Sequence, residues 1–191
     1  MSPALSLPVD HGLKEWDAVV RALGGGRQML LIRKGGIHET EGRFEIEHRR
    51  FVLFPTWLHQ RVDWVREADR VGVHPRTSEP DEIGLSVYAE VNDIVRVPGR
   101  TQVDALADEM IYLPPLIDMR FAYKPHNPLF ILLVRAFTLA RPQRVQNTPL
   151  YAGCKSWVPF EKPIDVSGAT PALDDTAYAV RRERILAILR V

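Results

Sequence analysis

Apolar positions along the chain change their period several times, and each change marks an element. Leu13, Trp16, Val19, Val20 and Leu23 share one helical face, so residues 13–23 read as an amphipathic helix behind a Pro-containing lead over 1–12. Gly24-Gly25-Gly26 closes it. Gln28 to Arg33 is a compact apolar strand, and Gly35-Gly36 turns the chain behind Arg33 and Lys34. Over 44–54 the alternation Phe44, Ile46, His48 shifts phase to Phe51, Leu53. That predicts a strand bulged near Arg49-Arg50, or two short strands, stopped by Pro55. Trp57, Leu58, Val62, Trp64, Val65 and Ala68 come close to helical spacing, which predicts a helix over 57–70 with Thr56 as N-cap. A polar loop over 72–82 precedes an alternating strand from Leu85 to Val97, interrupted at Asn92-Asp93. Thr101-x-x-Asp104 imitates a capping box ahead of a short helix reaching Met110, which Pro114-Pro115 ends. Residues 116–123 have no decided period, whereas Leu129 to Leu139 is the strongest strand signal in the chain. A loop over 140–155, a short strand from Ser156 to Phe160, and a last helix opened by Asp174 or Asp175 complete the pattern. That helix uses Ala177, Val180, Ile185, Ile188 and Leu189.

Short strands separated by Pro and Gly, without regular crossover helices, argue against a doubly wound parallel sheet. The expected fold is α+β: a small, mostly antiparallel curled sheet or barrel with flanking helices. At 191 residues the chain is expected to form a single domain, with 1–12 as lead and 172–191 as the C-terminal helix.

Composition narrows the class without naming a reaction. Apolar residues make up 46% and charged residues 26%, the balance of a folded soluble domain, which excludes a disordered tail, a collagen or a disulfide scaffold. The longest apolar run, Leu129 to Val134, is far short of a membrane span. No basic residue precedes Lys14, so no secretory signal is expected, and the single Cys154 fits a reducing, cytoplasmic setting. The formal net charge of +1 hides an asymmetry. Residues 79–118 carry 9 acidic and 2 basic groups, while residues 119–160 carry 6 basic groups and no carboxylate. Those six are Arg120, Lys124, Arg135, Arg141, Arg144 and Lys155, interleaved with Phe121, Tyr123, Phe130, Phe137, Tyr151, Trp157 and Phe160. Cations that neutralise phosphate beside rings that stack on bases suit single-stranded nucleic acid. The plainer alternative is that acidic and basic segments lie together and neutralise each other.

Among local motifs, Arg33 to Glu39 (RKGGIHE) is the sharpest. Gly35-Gly36 after a strand brings backbone N–H groups near a phosphate, with Arg33 and Lys34 supplying charge, although the Walker spacing is absent. The plain reading is a Gly-Gly turn with exposed cations. Glu39, Glu47, His48 and His59 are conceivable metal ligands, but their spacing requires none, so no metal and no cofactor are expected. His59 reads as a polar anchor or a ligand-facing group. Tyr151 to Trp157 (YAGCKSW) offers Lys155, Ser156 and Trp157 for binding, while Cys154 is more readily a small buried hydrophobe than a nucleophile. Trp16, Trp57, Trp64 and Trp157 are mainly core candidates, with one or two as candidates for a base-stacking cage.

LKEW (13–16), IRKGGIHE (32–39), FVLFPTWLHQ (51–60), LLVRAFTL (132–139) and YAGCKSW (151–157) together resemble an uncharacterised bacterial domain-of-unknown-function family (1802). The resemblance implies no catalytic residue. LLIRK (29–34, with Met29 leading), LSVYAEVNDIVRVP (85–98) and LFILLVRAFTLARP (129–142) are also similar to strands of PUA-like barrels, the group of PUA, ASCH, EVE and YTH domains. That likeness implies binding of RNA or modified DNA. The ASCH pattern G-x-K-x-x-E-x-R is not met, because Leu31 stands where its Glu belongs when Arg33 takes the place of its Arg.

The reading favoured is a nucleic-acid-binding protein that takes single strands or a flipped or modified base. Its expected binding set is Arg33, Lys34, Gly35, Gly36, His59, Arg120, Lys124, Arg135, Tyr151, Lys155, Ser156 and Trp157. Trp57 is a further stacking candidate. The alternatives are an enzyme acting on a nucleotide-like or phosphorylated small molecule, with the Gly35-Gly36 turn for phosphate and His48 or His59 with a Glu for proton transfer, and an oligomerising accessory protein. Nucleic acid is the expected partner, with no membrane, and an oligomer stays open.

Overall fold

The computed structural model describes residues 8–34, 37–40, 43–74, 76–153 and 155–190. The first predicted helix divides. Val9–Trp16 is strand β1, and the helix α1 occupies only Asp17–Gly24. The 3.6-residue spacing from Leu13 is real, but Leu13 pairs on both sides, with Leu53 and Trp157, and sheet pairing overrides local pattern. The lead is therefore partly strand. Gly24-Gly25-Gly26 does end α1, and Gly26 sits at φ +69, where an added Cβ would meet the Ala172 carbonyl oxygen at 2.8 Å.

β2 (Leu30–Arg33) follows, then a separate hairpin of β3 (Ile37–Thr40) and β4 (Arg43–Ile46). β5 (Arg50–Thr56) begins where the phase shift stood, so the two-strand alternative holds, and Pro55 lies inside the strand. The predicted helix over 57–70 is absent. Two 3-10 turns, Val62–Trp64 and Glu67–Asp69, take its place, His59 adopts φ 67, and the Thr56 hydroxyl donates to the Glu15 carbonyl instead of capping a helix. The left-handed residue breaks helical geometry at its third position.

β6 (Glu82–Arg96) and β7 (Phe130–Gln146) form the longest pairing of the sheet. β6 shifts register between Val91 and Asp93, where Asn92-Asp93 was expected to interrupt it. β7 runs past Leu139 into the segment expected as loop, because its continuation pairs with residues 82–85. Between them lie α2 (Arg100–Ala105) and α3 (Pro114–Ala122). The capping box does not form, since Gly99 occupies the N-cap without a side-chain bond. Pro114-Pro115 opens α3 rather than closing α2: proline lacks an N–H that the first helical turn has no use for. β8 (Trp157–Ile164), the short β9 (Thr170–Pro171) and α4 (Asp175–Leu189) finish the chain. Asp174 caps α4 by accepting from Ala177 N, as the sequence predicts.

The fold is α+β. Its main sheet runs β2-β7-β6-β5-β1-β8, with β9 beside β7, and this path is open, so the barrel alternative is set aside. Of the pairings in this sheet, β1 with β5 is parallel and the others are antiparallel. Both faces are covered. Phe51 and Leu53 enter the larger core with Leu23, Leu31 and Ile185, while Val52 and Phe54 enter a second core with Tyr88, Phe137 and Phe160. A bulge between Leu85 and Val87 lets Leu85 and Tyr88, three residues apart, share that second face. No helix among the described residues is long and apolar enough to cross a membrane.

Candidate functional site

The parallel pairing of β1 with β5 places two strand ends side by side, at Trp16 and Thr56. Beyond them the chain departs in different directions, into α1 and into the turn at 57–60. Divergence after adjacent parallel strands opens a crevice at their carboxyl ends. Here it is a hollow of about 770 Å³, within the size range of small-ligand sites. Lys14, Glu15 and Trp16 come from β1, Phe54 and Thr56 from β5, Arg33 from β2 and Arg120 from α3. Leu58, His59, Ser78 and Glu79 form one bank, and the strap from Asn147 to Ser156 forms the other.

The two carboxylates of the hollow are committed. Glu15, almost fully buried, accepts from Arg33 Nη2 at 3.0 Å and from the Trp16 amide at 2.9 Å. Glu79 accepts from the amides of Trp57 and Leu58 at 2.9 Å each, which fixes the bank on which His59 stands. Lys14 fastens the opposite strap, donating to the carbonyls of Tyr151 and Gly153, and lies 5.8 Å from the Phe54 ring. Phe54 and Tyr151, both 2% exposed, pack ring to ring at 5.4 Å behind the lining.

Arg120 differs from these. Its side chain has no ion pair or acceptor among the described residues, and its buried Nε has no partner. Lys34 Nζ donates to the carbonyls of Arg120 and Phe121 at 3.1 and 2.8 Å, holding the C-terminal end of α3 and with it the base of the Arg120 side chain. Lys155 is exposed on the strap, also without an ion pair among the described residues. Arg33 spends Nη2 on Glu15 and on the Lys14 carbonyl, and its Nε is likewise buried without an acceptor. Among the described residues the hollow thus carries four cationic side chains, Lys14, Arg33, Arg120 and Lys155, and two engaged carboxylates. Beneath it, burial first and the Glu15 charge second push the Tyr112 phenol far above its ordinary range, so it stays protonated.

Of the binding set expected from the sequence, Arg33, His59, Arg120, Tyr151, Lys155 and Ser156 line this hollow together. Lys34 lies behind it, as a clasp on α3. Arg135 is outside, bound to Asp175 and packed at 5.3 Å on the Tyr178 ring. Lys124, at φ 46, lies 5.4 Å from the Tyr123 ring and does not line the hollow. Trp157 is half-buried edge-on against Phe51 at 5.2 Å and His48 at 5.1 Å, so its ring serves packing. Trp57 is not in the lining either, and Arg76 lies over its ring. Gly35, Gly36 and Cys154 fall outside the described residues. Lys14, Glu15, Trp16, Thr56, Glu79 and Thr148 are lining residues that the sequence reading did not select. The first three were concealed by assigning 13–16 to a helix.

Of the two histidines named for proton transfer in the enzyme alternative, His59 lines the hollow and His48 does not. His48 stacks on His11 with ring centroids 3.7 Å apart, and Asp10 and Glu47 flank the two rings. Desolvation, then the His11 charge, holds the His48 imidazole below its ordinary pKa. Among the described residues no group of three or more His, Cys, Asp or Glu side chains is placed to hold a metal ion. The acidic and basic segments do meet inside the chain: Glu82 on β6 pairs with Arg144 on β7 at 2.6 Å.

The family model described as Domain of unknown function (DUF1802) matches residues 12–184. No curated protein matches the chain. Two solved structures are similar, both of mutants of ZmASCH from Zymomonas mobilis. One is 12% identical, with a TM-score of 0.45 over 82% of this chain and 92% of that chain. The other is 12% identical, with a TM-score of 0.44 over 80% and 90%.

Proposed function

We propose that this chain, which belongs to the family Domain of unknown function (DUF1802), is a nucleic-acid-binding protein that takes one nucleotide unit of a single strand, or a flipped base, into the hollow. The observation that carries this reading is the pairing of uncommitted cations, Arg120 and Lys155, with a concave space of about 770 Å³. A guanidinium with no acceptor of its own is a costly feature unless an anion completes it. The rest of the lining supplies what a base needs. Ser78, Asn147 and Thr148 offer hydrogen-bonding groups, the buried Thr148 hydroxyl lacks a partner, and Trp16 and Leu58 give apolar surface. Cations for a phosphate and neutral polar and apolar groups for a base make up the lining such a unit needs.

The reading is narrower than a basic track. Lys34, Arg135 and Arg144 are engaged elsewhere, so few phosphates are contacted at once. The salt dependence of binding is then shallow, with a log–log slope near −0.7 per phosphate neutralised. The test is fluorescence anisotropy with a short labelled single strand, in RNA and DNA forms, and the matching duplex. The single strand is expected to bind at low salt and the duplex more weakly, and Arg120→Ala is expected to weaken binding by about tenfold. Absence of binding to every single strand at low salt overturns the proposal.

A further inference from the structure

The hollow has more donors than an internal phosphodiester has oxygens to offer. Arg120 lines it with no ion pair among the described residues, and its buried Nε has no acceptor among them. Arg33 spends Nη2 on Glu15 and on the Lys14 carbonyl, and its buried Nε has no acceptor among the described residues. Lys155 adds an ammonium from the strap. These three cations come from β2, α3 and the strap, so they reach the space from separate directions. An internal phosphodiester carries one negative charge and two free oxygens. A phosphomonoester carries nearly two charges at neutral pH and three free oxygens.

We infer that the hollow selects the phosphorylated end of a strand, binding a terminal phosphomonoester through Arg33, Arg120 and Lys155 and the attached nucleoside against Ser78, Asn147 and Thr148. The inference rests on the proposed nucleic-acid function and names the part of the strand that the site takes. Lys34 acts here as a positioning residue, because it clamps the carbonyl of Arg120 itself. Lys14 keeps the strap that carries Lys155 in place through the Tyr151 and Gly153 carbonyls.

The experiment compares three single strands of one sequence, internally labelled: one with a 5′-phosphate, one with a 3′-phosphate, one with hydroxyls at both ends. Binding is read by anisotropy at fixed salt. One phosphorylated end is expected to bind at least about tenfold more tightly than the unphosphorylated strand, as charge-assisted bidentate contacts predict. Lys155→Gln, an exposed change that spares the fold, is expected to reduce that preference severalfold. Arg120→Gln is expected to abolish it, with circular dichroism confirming the native fold. Lys124→Ala, outside the lining, is expected to leave the preference intact. Equal binding of all three strands overturns the terminal-phosphate inference while leaving nucleic-acid binding in place. Binding of none of them overturns both. Equal loss of affinity for all three strands in Arg120→Gln also overturns it, since Arg120 then serves any phosphate alike.

Discussion

Two arginines on the same hollow illustrate how differently one residue type is used. Arg33, with 12% of its side chain exposed, is locked to a Glu15 that is 4% exposed. Removing one partner of such a pair leaves the other charge buried and uncompensated, so Glu15→Ala is expected to cost roughly 3–5 kcal/mol in urea unfolding. Arg120 has no partner to lose among the described residues, and Arg120→Ala is expected to cost under about 1 kcal/mol while removing ligand affinity. An Arg120→Ala variant destabilised as much as Glu15→Ala would show that Arg120 is structural. Sequence marks both residues as cations and cannot separate them. The separation depends on whether a carboxylate from a distant segment lies within reach.

Helix ends show where local chemistry is decisive and where it is not. Asp174 and Thr101 both look like N-caps in sequence. Asp174 fulfils the role, its carboxylate accepting from Ala177 N at 2.8 Å, whereas α2 begins at Arg100 with no side-chain cap. Asp174→Ala is accordingly expected to cost about 1 kcal/mol, and Thr101→Ala less than about 0.5 kcal/mol, in thermal or urea melts of otherwise identical samples. α4 is held at its other contacts by Glu109, which is 2% exposed and bonded to Arg181 and Arg184. Glu109→Ala leaves Arg181 partly desolvated without its anion, and its loss is expected to raise hydrogen exchange across Asp175–Leu189 before the β6–β7 ladder responds. The β6 strand and its interruption at Asn92-Asp93 were legible because apolar alternation is local. The extension of β7 to Gln146 was not, since residues 141–146 are mostly polar and become strand only because residues 82–85 lie beside them.

For the whole molecule, the stacked His11–His48 pair joins β1 to the segment between β4 and β5 and reports on the assembly of the sheet. The folded state holds the His48 pKa below its ordinary 6.5, chiefly by desolvation. The unfolded chain therefore binds more protons just below pH 6.5, and stability falls as pH drops through that value toward the lowered folded pKa. The melting temperature is expected to decline between pH 7.5 and 5.5, and His48→Asn to flatten that decline; an unchanged slope in the variant would exclude His48 as its source. Asp10, whose carboxyl is held low first by its bond to His11, titrates below this window and does not contribute to it. The sequence by itself determined the α+β class, the strong strands around Val87 and Leu132, the capped final helix and the segregation of charge, because each is written in periods of two to four residues. Only the tertiary structure decided that β1 runs parallel to β5, that the sheet stays open, and that Lys14, Glu15, Arg33, Arg120 and Lys155 share one hollow. The physical reason is that pairing energies between segments as distant as 14, 54 and 151 outweigh the weak helical preference of residues 13–16, and a single short window carries no record of them.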